Sequence, residues 1–213
     1  MNILQFIFNS YAVNTYLLTA ENGTTVVIDP ACADEVEFAR LKKIIEEKQL
    51  NVVCMLLTHA HADHVLGVKF IADTFPHAQF LMHEEGLPLY ENANDYSLIM
   101  GFKKREFPAP SGFVTDGQEL EFSDITLKVL HTPGHAPGSV CYYSQADDVV
   151  FTGDVLFHGS IGRTDLPGGS FETLRISIIE KLFSLPDATL VLPGHGEETT
   201  IEFEKQHNPF CRE

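Results

Sequence analysis

The segment THAHADH, residues 58–64, constrains the chain more than any other feature, because it contains three histidines and an aspartate. It follows residues 52–57, a continuous apolar run whose length is typical of a strand buried on both faces of a sheet. A role in capping a following helix would explain Asp63 as an N-cap residue but would leave three imidazoles without a function. Imidazole and carboxylate groups are ligands that divalent transition metals take from proteins. The segment therefore predicts a metal site at the end of a buried strand.

Alternation of side chains along an extended segment would direct His59, His61 and Asp63 one way and His64 the other. The segment would then offer imidazoles to one point and a carboxylate-imidazole pair to a neighbouring point.

Three further residues lie beyond the ends of predicted strands. His135 in HTPGH and His195 in PGHG each follow a Pro-Gly pair, and Asp154 ends the segment DVVFTGD. Proline fixes one backbone angle and glycine admits turns closed to other residues, so such a pair can hold the next side chain at a set angle. Ligand-binding groups of α/β proteins gather beyond strand ends, and we expect these three side chains to join the first motif.

Seven candidate ligands exceed the three or four that a protein gives to one zinc ion, so two metal ions are implied. With Asp154 as a bridge, His59, His61 and His135 would complete one site, and Asp63, His64 and His195 the other. Two divalent cations with a bridging hydroxide would make water reactive near neutral pH and stabilise an oxyanion, which suits hydrolysis. Asp63 and Asp154 are then the catalytic carboxylates. Nitrogen and oxygen ligands fit zinc, and iron or manganese would also be accepted.

Composition and charge exclude several other classes of protein. The chain has 213 residues, 44% of them hydrophobic, which predicts a single domain over residues 1–213 with a substantial core. The net charge of −16 opposes binding to nucleic acid and to anionic membrane surfaces. No apolar run approaches the roughly 20 residues of a membrane span, and the N-terminus has no basic residue before its apolar stretch. We therefore expect a cytoplasmic protein.

The cysteines have no metal-binding or redox spacing. The four are scattered without a CxxC pair, and Cys54 and Cys141 lie within apolar runs. Both are interpreted as buried, unreactive thiols.

Periodicity predicts strands and helices that alternate in two halves. Strands are expected at 3–8, 14–18, 24–28, 52–57, 78–82, 119–122, 125–130, 139–143, 149–151 and 189–192. Helices are expected at 33–49, 64–75, 171–183 and 197–206, and residues 83–112 are interpreted as an excursion between the halves. Two packed sheets with helices outside fit this order.

These motifs resemble those of metallo-β-lactamase-fold hydrolases, most closely the glyoxalase II-like (hydroxyacylglutathione hydrolase-like) branch. The resemblance extends over nearly the whole chain, through VVIDP, THAHADH, HTPGH, TGD, GSIGRTDLPGG and PGHG. It implies an α/β fold, the αβ/βα four-layer sandwich with two mixed sheets and outer helices. It also implies a binuclear site with the ligands given above and hydrolysis of an acyl thioester. Asp63 as a ligand separates this branch from true β-lactamases.

The chain departs from the glyoxalase II pattern at its C-terminus. Those enzymes carry a further helical domain whose basic residues help to hold glutathione, whereas only residues 196–213 follow His195 here. The thiol carrier, the acyl group and the oligomeric state therefore stay open. Lys103, Lys104, Arg105 and Arg163 are candidate anion contacts in place of that domain, although a solvated basic patch is more typical of the first three.

Four residues near the motifs have two interpretations each. Asp29 ends a strand as a turn residue or orients a ligand histidine. His131 either supports a ligand or is a structural histidine. Arg163 and Asp165 form an ion pair or contact substrate. The remaining histidines, His77, His83, His158 and His207, are interpreted as non-ligands.

Three other functions compete with thioester hydrolysis. A persulfide (sulfur) dioxygenase would hold a single iron through His59, His135 and Asp154, but that family has cysteine at the position of Ala60 and phenylalanine at that of Leu166. Lactone hydrolysis fits the same metal core. A non-catalytic binding module would be expected to lack ligands, and none is missing.

Overall fold

Two six-stranded mixed sheets form the centre of the structure, a computed structural model that describes residues 1–211. The first sheet has the strand order β1-β2-β3-β4-β5-β6, antiparallel up to β3 and parallel beyond it. Its strands are β1 Asn2–Phe8, β2 Val13–Thr19, β3 Thr24–Ile28, β4 Asn51–Leu56, β5 Gln79–His83 and β6 Gly112–Val114.

The second sheet follows in the chain and has the order β14-β13-β10-β9-β8-β7, in which only the β10-β13 pairing is parallel. Its strands are β7 Glu119–Phe122, β8 Ile125–His131, β9 Val140–Ser144, β10 Val149–Gly153, β13 Leu190–Pro193 and β14 Thr199–Thr200. A small hairpin of β11 Leu156–Phe157 and β12 Ser160–Ile161 leads into residues 159–169, the glycine-rich loop.

The helices are short. They are α1 Glu35–Glu47, α2 Ala62–Val65, α3 Val68–Thr74, α4 Leu87–Glu91, α5 Ala93–Ile99, α6 Phe171–Ser177 and α7 Ile201–His207. A 3₁₀ turn, Glu84–Gly86, precedes α4, and α6 continues as the π-helical turn Ile178–Leu182. None of the helices within residues 1–211 is long and apolar enough to cross a membrane.

Because side chains alternate along each strand, the hydrophobic core consists of three clusters, one between the two sheets and one on the outer face of each sheet. In β3, Val27 packs with helix α1 residues such as Leu41, whereas Val26 faces the second sheet. In β9, Tyr142 lies in the core between the sheets and Cys141 packs with the α6 side. Since each strand serves two cores, the molecule is the four-layer αβ/βα sandwich that the sequence predicted.

The predicted helix over residues 64–75 is interrupted in the structure. It begins earlier, at Ala62, and breaks between α2 and α3, where the Gly67 N–H donates to the Pro30 carbonyl at 2.7 Å. A Cβ at Gly67 would lie 2.7 Å from the same carbonyl oxygen and would also clash with the Cys32 thiol. The close approach of the β3–α1 loop therefore determines where the helix breaks.

The last helix begins at Ile201 rather than at residue 197. Thr199 and Thr200 pair with Val191 and Leu190 as strand β14, and the Thr200 hydroxyl then caps α7 by accepting from the Phe203 N–H. The pairing with β13 takes precedence over helix propensity at these positions. Cys54 and Cys141 are buried as predicted, and burial raises the pKa of each thiol to about 12.

A buried carboxylate, Glu204, joins the C-terminal segment to the glycine-rich loop. It accepts hydrogen bonds from the Thr199 hydroxyl at 2.7 Å, the Asn208 amide at 2.7 Å and the Gly159 N–H at 3.0 Å. Its side chain is fully enclosed. Sequence analysis did not identify this residue, since a glutamate on a polar helix carries no signal of burial.

We expect Glu204→Ala to lower the free energy of unfolding by about 3 kcal/mol, because three buried donors lose their acceptor. Glu202→Ala on the exposed face of the same helix is the control and should change it by less than about 0.5 kcal/mol. Urea unfolding followed by circular dichroism measures both. Equal effects of the two variants would contradict the role of Glu204.

Candidate metal centre

The THAHADH segment leaves the end of β4 at the boundary between the two sheets. The Tyr142 hydroxyl donates to the Leu57 carbonyl at 2.7 Å, and the Val140 N–H donates to the Thr58 carbonyl at 2.8 Å. The second sheet therefore holds the segment of the first sheet that carries the histidines.

The chain turns into helix α2 directly after His61, which occupies the N-cap position. The predicted alternation is therefore wrong beyond His61, because helical geometry places Asp63 beside His64 rather than beside His59. Asp63 is also not an N-cap residue, since it lies inside α2.

Six of the seven predicted ligands come together as two neighbouring groups of three. Each group has one nitrogen or carboxylate oxygen per residue, all within 4.8 Å of one another. The first group is His59, His61 and His135, and the second is Asp63, His64 and His195.

Asp154 lies between the two groups. Its Oδ1 is 3.4 Å from His64 Nε2, and its Oδ2 is 3.6 Å from His135 Nε2 and 3.5 Å from His195 Nε2. One carboxylate thus reaches both groups, as a bridging ligand would. The coordination of metal by these residues stays a prediction.

Backbone and side-chain acceptors fix the orientation of three imidazoles. His64 donates its Nδ1–H to the Asp29 carboxylate at 2.9 Å. His135 donates its Nδ1–H to the Arg163 carbonyl at 2.8 Å, and His195 donates its own to the Tyr11 carbonyl at 2.9 Å. Carbonyl oxygens only accept, so Nδ1 of His135 and of His195 must carry the proton. In the neutral ring, Nε2 then presents a lone pair to the centre of the cluster.

Facing ring nitrogens of the cluster are so close that a proton or a cation must lie between them. His64 Nε2 is 3.2 Å from His195 Nε2, and His135 Nε2 is 2.8 Å from His61 Nδ1. His59 Nε2 and Asp154 Oδ1 are buried with no hydrogen-bond partner. A cation within each group would satisfy all of these atoms, so the residues present fit a pair of metal ions.

Burial and the carboxylates act on the charges of the cluster in opposite directions. Burial and the neighbouring His64 lower the pKa of His59 well below its usual value, so this imidazole is neutral. Burial opposes a charge on His195, but its hydrogen bonds with Asp154 and Asp63 raise its pKa to about 9. Burial opposes ionisation of Asp154 as well, yet its contacts with His64 and His195 lower its pKa well below the usual range. The two carboxylates thus hold positive charge in the centre of the site.

Asp29 orients His64 and belongs to the support of the centre. Its Oδ2 also accepts from the Thr58 hydroxyl at 2.6 Å, and its Oδ1 accepts from the Thr58 N–H at 2.7 Å. The residue adopts a left-handed backbone with φ +48°, which directs the carboxylate from the end of β3 across to β4. Of its two interpretations, the structure shows the one in which Asp29 orients a histidine.

The loop that carries His195 is packed closely against the cluster. A Cβ at Gly194 would lie 2.5 Å from Asp154 Oδ1 and 2.7 Å from His64 Cε1, so only glycine fits. The neighbouring Pro193 carbonyl accepts from the Asn14 amide at 2.9 Å and the Tyr16 hydroxyl at 2.7 Å. Sequence analysis missed these two residues of β2, because their partners lie at the other end of the chain.

His131 is not part of the cluster. It stacks on His83 with 4.2 Å between ring centroids, and its Nε2 is 3.4 Å from a Glu85 oxygen. Because β8 ends at His131 and the chain turns through Pro133 and Gly134 before His135, the two histidines point to different surroundings. Among the contacts of the described residues, none joins His131 to a predicted ligand, so its surroundings favour the interpretation as a structural histidine.

Two of the basic residues, Arg163 and Arg105, have different surroundings. Arg163 and Asp165 form an exposed ion pair with two hydrogen bonds of 2.8 Å, as one interpretation predicted. Arg105 is not solvated as expected: its guanidinium donates to the carbonyls of Leu66 and Ala33 and lies 4.7 Å from the Phe70 ring centroid. Sequence reasoning missed this role because carbonyl acceptors leave no mark on the sequence.

A cavity of about 480 Å³ opens onto the cluster. Its floor includes His61, Asp63, His135, Asp154 and His195. Much of its wall is apolar and comes from helices α4 and α5, the region that sequence analysis could interpret only as an excursion. A larger groove of about 890 Å³ lies elsewhere, along α1 and residues 101–106, and contains none of the seven ligands.

Residues 9–195 match the model of the metallo-beta-lactamase superfamily. The chain belongs to this superfamily, as its motifs indicated.

Two curated relatives extend over nearly the same length. One is the probable metallo-hydrolase YqgX of Bacillus subtilis, 40% identical over 92% of this chain and 91% of that protein. The other is the hydroxyacylglutathione hydrolase GloC of Haemophilus influenzae, 36% identical over 99% of this chain and 98% of that protein. The chain is thus similar to metallo-hydrolases along its whole described length.

Three solved structures are similar to this chain in both fold and sequence. A crystal structure of TTHA1623 in a di-iron-bound form has a TM-score of 0.87 and 38% identity over 97% of this chain and 99% of that one. The BLEG-1 B3 metallo-beta-lactamase also has a TM-score of 0.87, with 36% identity over 100% of both chains. ETHE1 from Myxococcus xanthus has a TM-score of 0.80 and 29% identity over 98% of this chain and 84% of that one.

We expect Asp29→Ala to weaken metal binding about 10- to 100-fold, because His64 loses the acceptor that fixes its ring. Titration with a chromophoric chelator measures the affinity. Asp73→Ala, which removes an exposed carboxylate of α3, is the control and should leave the affinity unchanged. Equal affinities in wild type and Asp29→Ala would show that the carboxylate does not position a ligand.

Proposed function

We propose that the protein is a binuclear metal-dependent hydrolase that cleaves acyl thioesters. The observation that carries the proposal is the pair of histidine-aspartate groups joined by the single carboxylate of Asp154. The similarity to metallo-hydrolases supports hydrolysis, and the similarity to a hydroxyacylglutathione hydrolase supports a thioester substrate.

The two groups would each hold one divalent ion, with Asp154 shared between them. Such a pair of ions, when bound, lowers the pKa of water and polarises the carbonyl under attack. Zinc fits the nitrogen and oxygen donors, and the di-iron form of a 38% identical protein supports iron as an alternative.

The residues of the chain supply position and charge. Asp63 and Asp154 lie at the floor of the cavity, where their carboxylates would hold the two ions and balance their charge beside the attacking water. The hydrogen bonds from the imidazoles to Asp29, Arg163 and Tyr11 keep the rings fixed throughout the reaction.

A thioester is a suitable substrate for this floor. A thiol has a pKa near 8.5, so the thiolate leaves without first taking a proton. Cleavage therefore needs no general acid beside the attacked carbon. Lactone hydrolysis stays possible on the same centre, and the similarity to a B3 metallo-beta-lactamase makes a β-lactam a second candidate substrate.

A persulfide dioxygenase is less well supported. Its single iron would be held by His59, His135 and Asp154, and the second group would then hold no metal ion. Asp63, His64 and His195 are all buried or half-buried beside Asp154, in a group that could hold a second ion.

We expect purified protein to contain about two metal ions per chain and to hydrolyse at least one thioester of a glutathione, coenzyme A and N-acetylcysteamine panel. A chelator should abolish turnover, and added zinc should restore it. Elemental analysis, a thiol-detecting assay and parallel assays with a lactone and a β-lactam check this. Oxygen consumption with a persulfide at about one iron per chain would overturn the proposal, as would turnover of the β-lactam alone.

We expect His195→Ala to reduce the bound metal from about two ions to about one per chain and to lower kcat/KM at least 100-fold, since the second group loses a ligand. His158→Ala is the control, because this histidine contacts Phe203 rather than the cluster. Metal content by elemental analysis is the readout that does not depend on the substrate. An unchanged metal content in His195→Ala would argue against a second site.

A further inference from the structure

We propose that the cavity above the metal centre selects thioesters with an apolar acyl chain on an uncharged thiol carrier. This inference rests on the proposed hydrolase function and specifies its substrate class. It depends on the residues of the cavity wall rather than on the metal ligands.

Outside the cluster, the wall is apolar except at Arg163 and the Tyr11 and Tyr96 hydroxyls. Helices α4 and α5 contribute Leu89, Tyr96 and Ile99, with Met100 directly after α5, and the glycine-rich loop contributes Leu166 and Pro167. A polar floor beneath apolar walls is the common composition of small-molecule sites. The floor would hold the thioester group, and the wall would contact a hydrocarbon chain.

The exposure of Ile99 indicates that this wall is built for contact with a ligand. Its side chain is 81% exposed, which is unfavourable for a residue with so much apolar surface. Tyr96 on the same helix is 40% exposed, and both line the cavity. An acyl chain against them would remove this surface from water.

The cavity offers no free positive charge to an anionic carrier. Among the described residues that line it, Arg163 is the one charged side chain outside the cluster. Two hydrogen bonds of 2.8 Å pair its guanidinium with Asp165, and they lower the pKa of that carboxyl to about 2. The pair is therefore neutral as a unit, and Asp165 competes with a substrate carboxylate for the guanidinium.

The other basic side chains considered for glutathione lie away from this cavity. Lys103 and Lys104 line the separate groove along α1. Arg105 is occupied by two backbone carbonyls and the Phe70 ring. With a net charge of −16, the protein also repels an anionic carrier at a distance. An uncharged carrier meets none of these costs.

The substrate series that tests this combines two variables. Acetyl, butanoyl, hexanoyl and octanoyl groups are joined either to uncharged N-acetylcysteamine or to glutathione, and kcat/KM is measured for each with the metal-loaded protein. We expect kcat/KM in the uncharged series to rise about threefold per added methylene until the wall is covered. Each glutathione thioester should be at least tenfold poorer than its uncharged counterpart.

The outcomes separate this inference from the function on which it rests. No hydrolysis of any thioester would overturn the proposed function. Hydrolysis with no dependence on chain length, or with preference for glutathione, would overturn the substrate class and leave the hydrolase function standing.

Neighbouring residues of α5 give a matched pair of variants. Ile99→Ser should lower kcat/KM for the octanoyl substrate about tenfold and that for the acetyl substrate less than twofold. Leu98→Ser is the control, because Leu98 is 51% exposed on the same helix and does not line the cavity. Equal effects of the two variants on the octanoyl substrate would overturn the inference.

Binding without turnover gives a second readout. Calorimetry with S-octyl-N-acetylcysteamine, an uncharged thioether that cannot be hydrolysed, should show weaker binding to Ile99→Ser than to Leu98→Ser. Light scattering measures the oligomeric state and so tests the alternative that a second copy of the chain covers this apolar surface. If Ile99→Ser dissociates an oligomer and thioether binding is unchanged, the surface is an interface and the inference is wrong.

Discussion

The close approach of ring nitrogens and carboxylates in the cluster is the constraint on which the rest of the structure depends. Ring nitrogens face each other at 2.8 and 3.2 Å, and buried carboxylates lie among them. A proton or a metal ion must lie between such close polar atoms. The fold must therefore hold each ring at a fixed angle. Hydrogen bonds to Asp29, Arg163 and Tyr11 do so from outside, because each fixes a ring by the nitrogen that faces away from the centre.

The four-layer architecture explains how residues so far apart in the chain reach one point. Strands β4, β10 and β13 end at the same boundary between the sheets, and the loops beyond them carry the ligands. Hydrogen bonds such as those from Asn14 and Tyr16 to the Pro193 carbonyl tie the loops of one sheet to strands of the other. Core packing between the sheets thus sets the distances in the metal centre.

Chemistry and selectivity come from different parts of the chain. The floor of the cavity is built from the histidine and aspartate motifs that sequence analysis identified. The wall is built largely from α4 and α5, where sequence analysis identified no motif. A fold with such a floor can serve different substrates, since the apolar surface and charge of the wall decide which molecules reach the floor.

The sequence by itself determined the fold class, the family and the seven residues that meet at the centre, because histidine motifs directly after buried strands are local signals. Alternation and helical periodicity located most strands and helix α1 for the same reason. Only the tertiary structure decided that Asp63 joins His64, that His131 lies with Glu85, and that Arg105 and Glu204 are structural. It also decided that Tyr96 and Ile99 line the site. These features depend on contacts between segments distant in the chain, and a linear pattern records the neighbours of a residue but not its partners in space.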